Sequence, residues 1–273
     1  MVICGLFFNL NLSLTGIEDT FDTHYCIMKK VVGFLLFTIA FGTLQAQDSS
    51  SVKSIKRDWS KSNVANRPKD HLLIQIGYNN WTNKPDSIQT KGIPLSLNFY
   101  FMFDFPFKSD PRWSAAVGAG VAFDNMGFKN TSIDIAGFKA DKLGFRNVGD
   151  TTHFKKYKLV NSYLEAPIEL RFTSDPEHNL KSWKGAIGVK VGTLLGAGTR
   201  GKTLVNKSGA TINNYVSKER SKRYFNSTRL SVMGRIGYGI VSVYAAYQFN
   251  PFVKDGYGPD IRPMQVGITI SGL

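Results

Sequence analysis

The sequence predicts an all-β chain, an eight-stranded antiparallel transmembrane β-barrel, on three observations. Eight segments of roughly 9–11 residues alternate apolar and polar side chains at period two. The links between them are long and short in turn, the outer-membrane pattern of long loops on one side and tight turns on the other. A short apolar run behind two lysines reads as a secretory signal.

That run opens the elements in chain order. Lys29 and Lys30 form a basic start. Val31 to Phe41 is apolar but too short to cross a bilayer as a helix, and cleavage is expected after Ala46. Residues 28–46 are therefore a signal peptide, and residues 1–27 an extension upstream of a true start at Met28. Residues 47–70 are polar and basic, with too little apolar surface to fold alone, and are expected to be a flexible periplasmic leader. The barrel is assigned to residues 71–273. Cys4 and Cys26 both precede Met28, so the mature chain is expected to carry no disulfide, thiolate metal site or cysteine nucleophile.

Within residues 71–79, Leu72, Ile74, Ile76 and Tyr78 share one face, with Gln75, Gly77 and Asn79 opposite. Residues 94–104 oppose Leu95, Leu97, Phe99, Phe101 and Phe103 to Ser96, Asn98, Tyr100, Met102 and Asp104. Residues 113–123 set Trp113, Val117, Val121 and Phe123 against Ser114, Gly118, Gly120 and Ala122, small groups that suit a narrow lumen. Residues 162–172 carry the sharpest contrast: Leu164, Ile168, Leu170 and Phe172 face one way, Tyr163, Glu165, Glu169 and Arg171 the other. In residues 183–193 the contrast is Ile187, Val189 and Val191 against Lys184, Gly188 and Lys190. In residues 227–237 it is Leu230, Val232 and Ile236 against Arg229, Ser231, Met233 and Arg235. Residues 240–250 place Val241, Val243, Ala245, Tyr247 and Phe249 together, and residues 263–271 oppose Met264, Val266, Ile268 and Ile270 to Gln265, Gly267 and Thr269. In a membrane barrel the apolar face turns to lipid and the charged face to the lumen; a soluble barrel or sandwich reverses this.

The links at about residues 80–93, 124–161, 194–226 and 251–262 are the long ones. Those at 105–112, 173–182 and 238–239 are short, the last being Tyr238-Gly239. An even strand count returns both ends to one side, and closure leaves no unpaired edge in lipid.

The chain has 34 Lys and Arg against 20 Asp and Glu, a formal charge of +14. Two runs concentrate the excess beside long links: Lys155, Lys156 and Lys158, and Arg220, Lys222 and Arg223. Their height favours lipopolysaccharide phosphates over nucleic acid, and no nucleic-acid role is expected. Glu165 and Glu169 share a face about 13 Å apart at ~3.3 Å per residue, beyond the reach of a glycosidase pair. They are expected to join Arg171, Lys190, Arg229 and Arg235 in a lumen charge network, since buried charges persist only when paired. His153 is expected in a solvated outer loop, and His71 and His178 at strand ends on the other side. Gly192, Gly196 and Gly198 lack nucleotide-loop spacing and read as a flexible loop entry. No catalytic, cofactor or metal residues are assigned, and no enzyme activity is expected.

The run Tyr163-Leu164-Glu165-Ala166-Pro167-Ile168-Glu169-Leu170 and the closing run from Pro263 to Ile270 resemble strands of the PorT-like outer-membrane β-barrel family, across roughly residues 71–273. That resemblance implies a monomeric barrel in the outer membrane of a Gram-negative cell, inserted by the barrel-assembly machinery and in contact with lipid and lipopolysaccharide. For some members it implies a part in assembling a protein-secretion system. Cell-surface binding and a narrow passive channel are the alternatives.

Overall fold

The computed structural model describes residues 71–86, 88–137 and 141–272. The extension, signal peptide and leader assigned to residues 1–70 lie outside the described residues. Eleven strands occur among the described residues: β1 (Leu72–Thr82), β2 (Leu95–Pro106), β3 (Trp113–Phe128), β4 (Thr131–Asp134), β5 (Gly144–Asn147), β6 (His153–Thr173), β7 (Trp183–Val205), β8 (Thr211–Arg220), β9 (Thr228–Tyr238), β10 (Val241–Gln248) and β11 (Arg262–Ser271).

Eight of these close a barrel in the order β1-β2-β3-β6-β7-β9-β10-β11, every neighbour antiparallel. The seam joins β11 to β1, from Leu73↔Ser271 to Thr82↔Arg262. All eight alternating segments of the sequence are barrel strands.

The faces separate cleanly. Ile168 is 51 % exposed and Ile187 66 %, whereas Glu165 and Glu169 on the opposite face are each 2 % exposed. This is the inversion of a soluble barrel, and it excludes the soluble reading: the charges are inside and the aliphatic side chains outside. The outward apolar run of β3, Trp113 to Phe123, spans about 33 Å along the strand, or about 25 Å once tilted by ~40°, the height of a transmembrane band. Paired aromatics mark its lower rim: Trp113 lies opposite Phe172 (ring centroids 5.1 Å apart) and Trp183 opposite Tyr238 (5.7 Å).

Strand ends differ from the sequence reading at the long-loop end. β3 runs on to Phe128, β6 starts at His153 and β7 continues to Val205, so much of the expected loop is sheet. The link after β7 returns as β8, which pairs with the upper part of β7. Gly192, Gly196 and Gly198 are therefore not a loop entry. They lie within β7, where one extra residue, Leu195, bulges between the Tyr163↔Leu194 and Ser162↔Gly196 pairs. The bulge shifts the phase of β7, which hides the continuing strand from a period-two reading.

The tightest turn is displaced by one residue from the expected Tyr238-Gly239. Tyr238 still pairs with Val241, leaving Gly239-Ile240 as the turn. Gly239 has φ +62°, a value that suits glycine at the first position of a type II′ hairpin turn. Pro167 faces the lumen of β6 and has no N–H to give. The β3–β6 ladder is correspondingly interrupted between Val117↔Ile168 and Gly120↔Glu165 without losing register.

Candidate functional site

The barrel interior holds the densest polar chemistry of the chain. Six residues expected there from alternation, Glu165, Glu169, Arg171, Lys190, Arg229 and Arg235, all lie inside, at 2–7 % exposure. They form two clusters rather than one network.

The upper cluster centres on Arg229. Its Nη1 lies 2.9 Å from Asp124 Oδ2 and 3.1 Å from Glu165 Oε1, and its guanidinium sits 4.7 Å from the Tyr163 ring centre. The Tyr100 hydroxyl donates to Glu165 Oε2, and Lys190 Nζ donates to Gln75 Oε1 at 2.9 Å and to the Tyr100 oxygen at 3.2 Å. Gln265 Nε2 donates to Asp124 Oδ1 at 2.9 Å. Side chains from β1, β2, β3, β6, β7, β9 and β11 thus meet across the lumen.

The lower cluster lies toward the short-turn end. Glu169 Oε2 accepts from Arg171 Nε at 2.7 Å and from Arg235 Nη2 at 3.1 Å. Arg171 Nη1 is also 3.7 Å from Asp104, which accepts from the Ser114 hydroxyl at 2.7 Å. Charge-assisted pairing of two guanidinium groups onto one carboxylate oxygen offsets part of the desolvation that lumen burial imposes on each charge.

Above the upper cluster the long links pack into an apolar lid. Ile133 and Ile135 from the β4–β5 hairpin, Tyr224 and Phe225 from the β8–β9 link, and Phe252 and Val253 from the β10–β11 link are buried together with Trp81 and Phe128. Phe225 and Phe252 rings lie 4.9 Å apart, and Trp81 contacts both Phe128 and Phe252 at 5.6 Å. Backbone bonds tie the links to each other, from Asn226 N to Phe252 O (2.9 Å) and from Leu143 N to Tyr257 O (2.7 Å). Each fully buried side chain of this size contributes roughly 1.5–3 kcal/mol. The links are therefore a built element, which sequence reading took for plain loops. The signal was present in the period-two spacing of Ile133 and Ile135 and in the adjacent aromatics Tyr224-Phe225.

The six basic residues expected to meet lipopolysaccharide do not form one patch. Lys155, Lys156 and Lys158 are on β6 at the long-loop end, and Arg220 ends β8. Lys222 and Arg223 belong to the lid: Lys222 Nζ donates to the Leu194 carbonyl, and Arg223 stacks 5.3 Å from the Tyr224 ring. Sequence reading missed the partners that the sheet brings beside the β6 lysines, namely Lys91, Arg200, Lys202 and Lys218.

His153 opens β6 rather than lying in a loop, because β6 runs further outward than its apolar part; its Nδ1 is 2.9 Å from the Thr151 carbonyl. His71 stacks on Phe101. His178 lies with Asp175 and Glu177 in a solvent-exposed turn, where Asp175 accepts from the Glu177 and His178 amides, an arrangement that an Asx turn explains. In the β2–β3 turn the Arg112 guanidinium, forked onto Asp110, holds that carboxyl below the usual carboxylate range.

No curated protein matches the chain. Residues 46–258 match the family model described as the outer membrane protein beta-barrel domain. The antiparallel eight-stranded barrel described above agrees with that match, and the chain belongs to the outer membrane β-barrel domain family.

Proposed function

We propose that this chain is a monomeric, non-conducting barrel of the Gram-negative outer membrane with a structural or assembly role rather than a catalytic one, linked, as its PorT-like strands suggest, to a protein-secretion machine. The observation that carries the reading is the double closure of the interior: two clusters of paired charges fill the lumen, and the apolar lid covers them at the long-loop end. An eight-stranded barrel has an interior just wide enough for side chains, and here Tyr100, Tyr163, Arg229 and Arg235 occupy it. The barrel-assembly machinery would insert the chain with the lid outward.

Purified protein in planar lipid bilayers is expected to give no stable conductance steps; regular steps would replace this reading with the passive-channel one. In cells lacking the chain, secreted proteins are expected to fall while other outer-membrane barrels remain inserted. Unchanged secretion would remove the secretion link. A second reading, a cell-surface barrel that contacts lipopolysaccharide, is favoured by one observation: the outward face above the apolar band is strongly basic.

A further inference from the structure

The upper, extramembrane sheet places like charges directly opposite one another. Lys158 on β6 pairs with Arg200 on β7, and Arg200 pairs in turn with Lys218 on β8. In the next row out, Lys156 pairs with Lys202. All are on the outward face, since the alternate positions of β6, Tyr157 and Leu159, pack into the lid core. Opposed like charges on neighbouring strands weaken a sheet. Five cations in two adjacent rows are a cost that the fold itself does not repay.

Beside them a groove of about 640 Å³ opens on the same face. The chain from Lys91 to Ile93 forms one wall, and the stretch leading into it is held to the edge of β3 by Lys91 N donating to Gly127 O and Lys129 N donating to Gln89 O, each 2.9 Å. Lys91 adds a further cation, and no carboxylate is among the described residues that line the groove. The Lys158 ammonium donates to Asn125 Oδ1 at 3.0 Å, which fixes one cation in place. The lower lip is apolar: Ile93 is 80 % exposed and Leu95 43 %. Leu95 pairs with Asn125, two residue pairs from the Gly127↔Lys158 row and next to it on the same face, so the cations stand directly above the top of the lipid-facing band.

We infer that this groove binds a phosphorylated glycolipid of the lipid A class, its phosphates on Lys158, Arg200 and their neighbours and its acyl chains against Ile93, Leu95 and the band below. A soluble anion would use the cations and leave the apolar lip bare; a neutral lipid would do the reverse. Only an amphiphile whose phosphate stands at the edge of the acyl region satisfies both. The inference deepens the cell-surface reading above, and rests on its orientation of the long-loop end toward the outer leaflet.

The test uses the folded full chain in a neutral maltoside detergent, with bound lipid counted by native mass spectrometry. Bisphosphorylated lipid A is titrated against the wild-type chain, a Lys158→Gln/Arg200→Gln double variant, and a Lys207→Gln/Lys254→Gln control that removes two cations of the long-loop end outside the groove. Folding of each is checked by its heat-dependent gel shift. If the double variant does not fold, Lys202→Gln alone replaces it. The wild type and the control are expected to bind saturably and alike, and the double variant at least tenfold more weakly. Dephosphorylated lipid A is also expected to lose at least tenfold, and inorganic phosphate to compete only at concentrations far above those of the lipid. Without lipid, the double variant is expected to be at least as heat-resistant as the wild type, because the row repulsion is gone; a purely structural role would lower it. Equal losses in the double variant and the control would mean diffuse attraction and no site. Undiminished binding of dephosphorylated lipid, or phosphate competing as well as lipid A, would equally overturn the inference. The conductance measurement is independent of these, so a conducting barrel that binds lipid A would refute the closed-lumen reading and leave this one standing.

Discussion

At the residue scale, the two lumen glutamates are not equivalent. Glu169 serves both Arg171 and Arg235 through one oxygen, whereas Arg229 is shared by Glu165 and Asp124. Glu169→Gln strips Arg235 of its ion-pair partner among the described residues, and a buried charge left unpaired costs about 3–5 kcal/mol. Glu165→Gln leaves Arg229 with Asp124 at 2.9 Å and the Tyr163 ring, and is expected to cost about 1–2 kcal/mol. Reversible urea unfolding in lipid vesicles measures both; equal costs would contradict the two-cluster description. Alternation alone placed Glu165, Glu169 and Arg171 on the lumen face, because three charged residues sharing one face, with Pro167 among them, against aliphatics on the other have few other readings. Asp124 was not legible. It stands one residue past the last outward apolar side chain, Phe123, where the period-two contrast that defines a strand fades although the strand continues.

At the element scale, the contrast fades for a physical reason. Above the lipid the outward positions of β6 and β7 meet water and headgroups, so Lys156, Lys158, Arg200 and Lys202 stand where Leu164 and Val191 stand below. A strand that changes solvent along its length changes its pattern, and β6 and β7 consequently read as half their true span. The transmembrane parts are constrained most at their inward small residues. A Cβ at Gly120 of β3 would run into the Phe99 carbonyl oxygen and the Tyr100 ring. Tyr100 cannot retreat without releasing Glu165 and Lys190. Gly120→Val is therefore expected to destabilise by about 1–3 kcal/mol or more through overpacking. Gly209, in the link between β7 and β8, has open space around it and supplies a control position for Ala, although its φ of +84° keeps even that change from being free. A Gly120→Val barrel as stable as wild type would show that the lumen repacks more freely than its distances suggest.

At the scale of the whole molecule, two solvents shape one sheet: the membrane part is polar inside and apolar outside, and the part above it has an apolar lid core beneath a cationic face. The closing seam between β1 and β11 adds a consequence in time. Residues 73 and 271 must meet before either strand has its second neighbour, and of the barrel's strand pairings this one joins the residues most distant in sequence. Lengthening such a loop costs only about 0.6 kcal/mol per doubling, so the penalty falls on the rate of closure more than on its equilibrium. Until β11 arrives, β1 and β10 each present a bare strand edge, a template for pairing with any other chain. A chain ending before Arg262 is expected to insert poorly, to aggregate and to show no heat-dependent gel shift, and a synthetic β11 peptide added during refolding is expected to restore the shift. Full folding of the shortened chain would mean that the wall can seal on β10 instead. Otherwise the last ten residues of the wall act as a latch, and the half-built barrel must be shielded for as long as the latch is on its way.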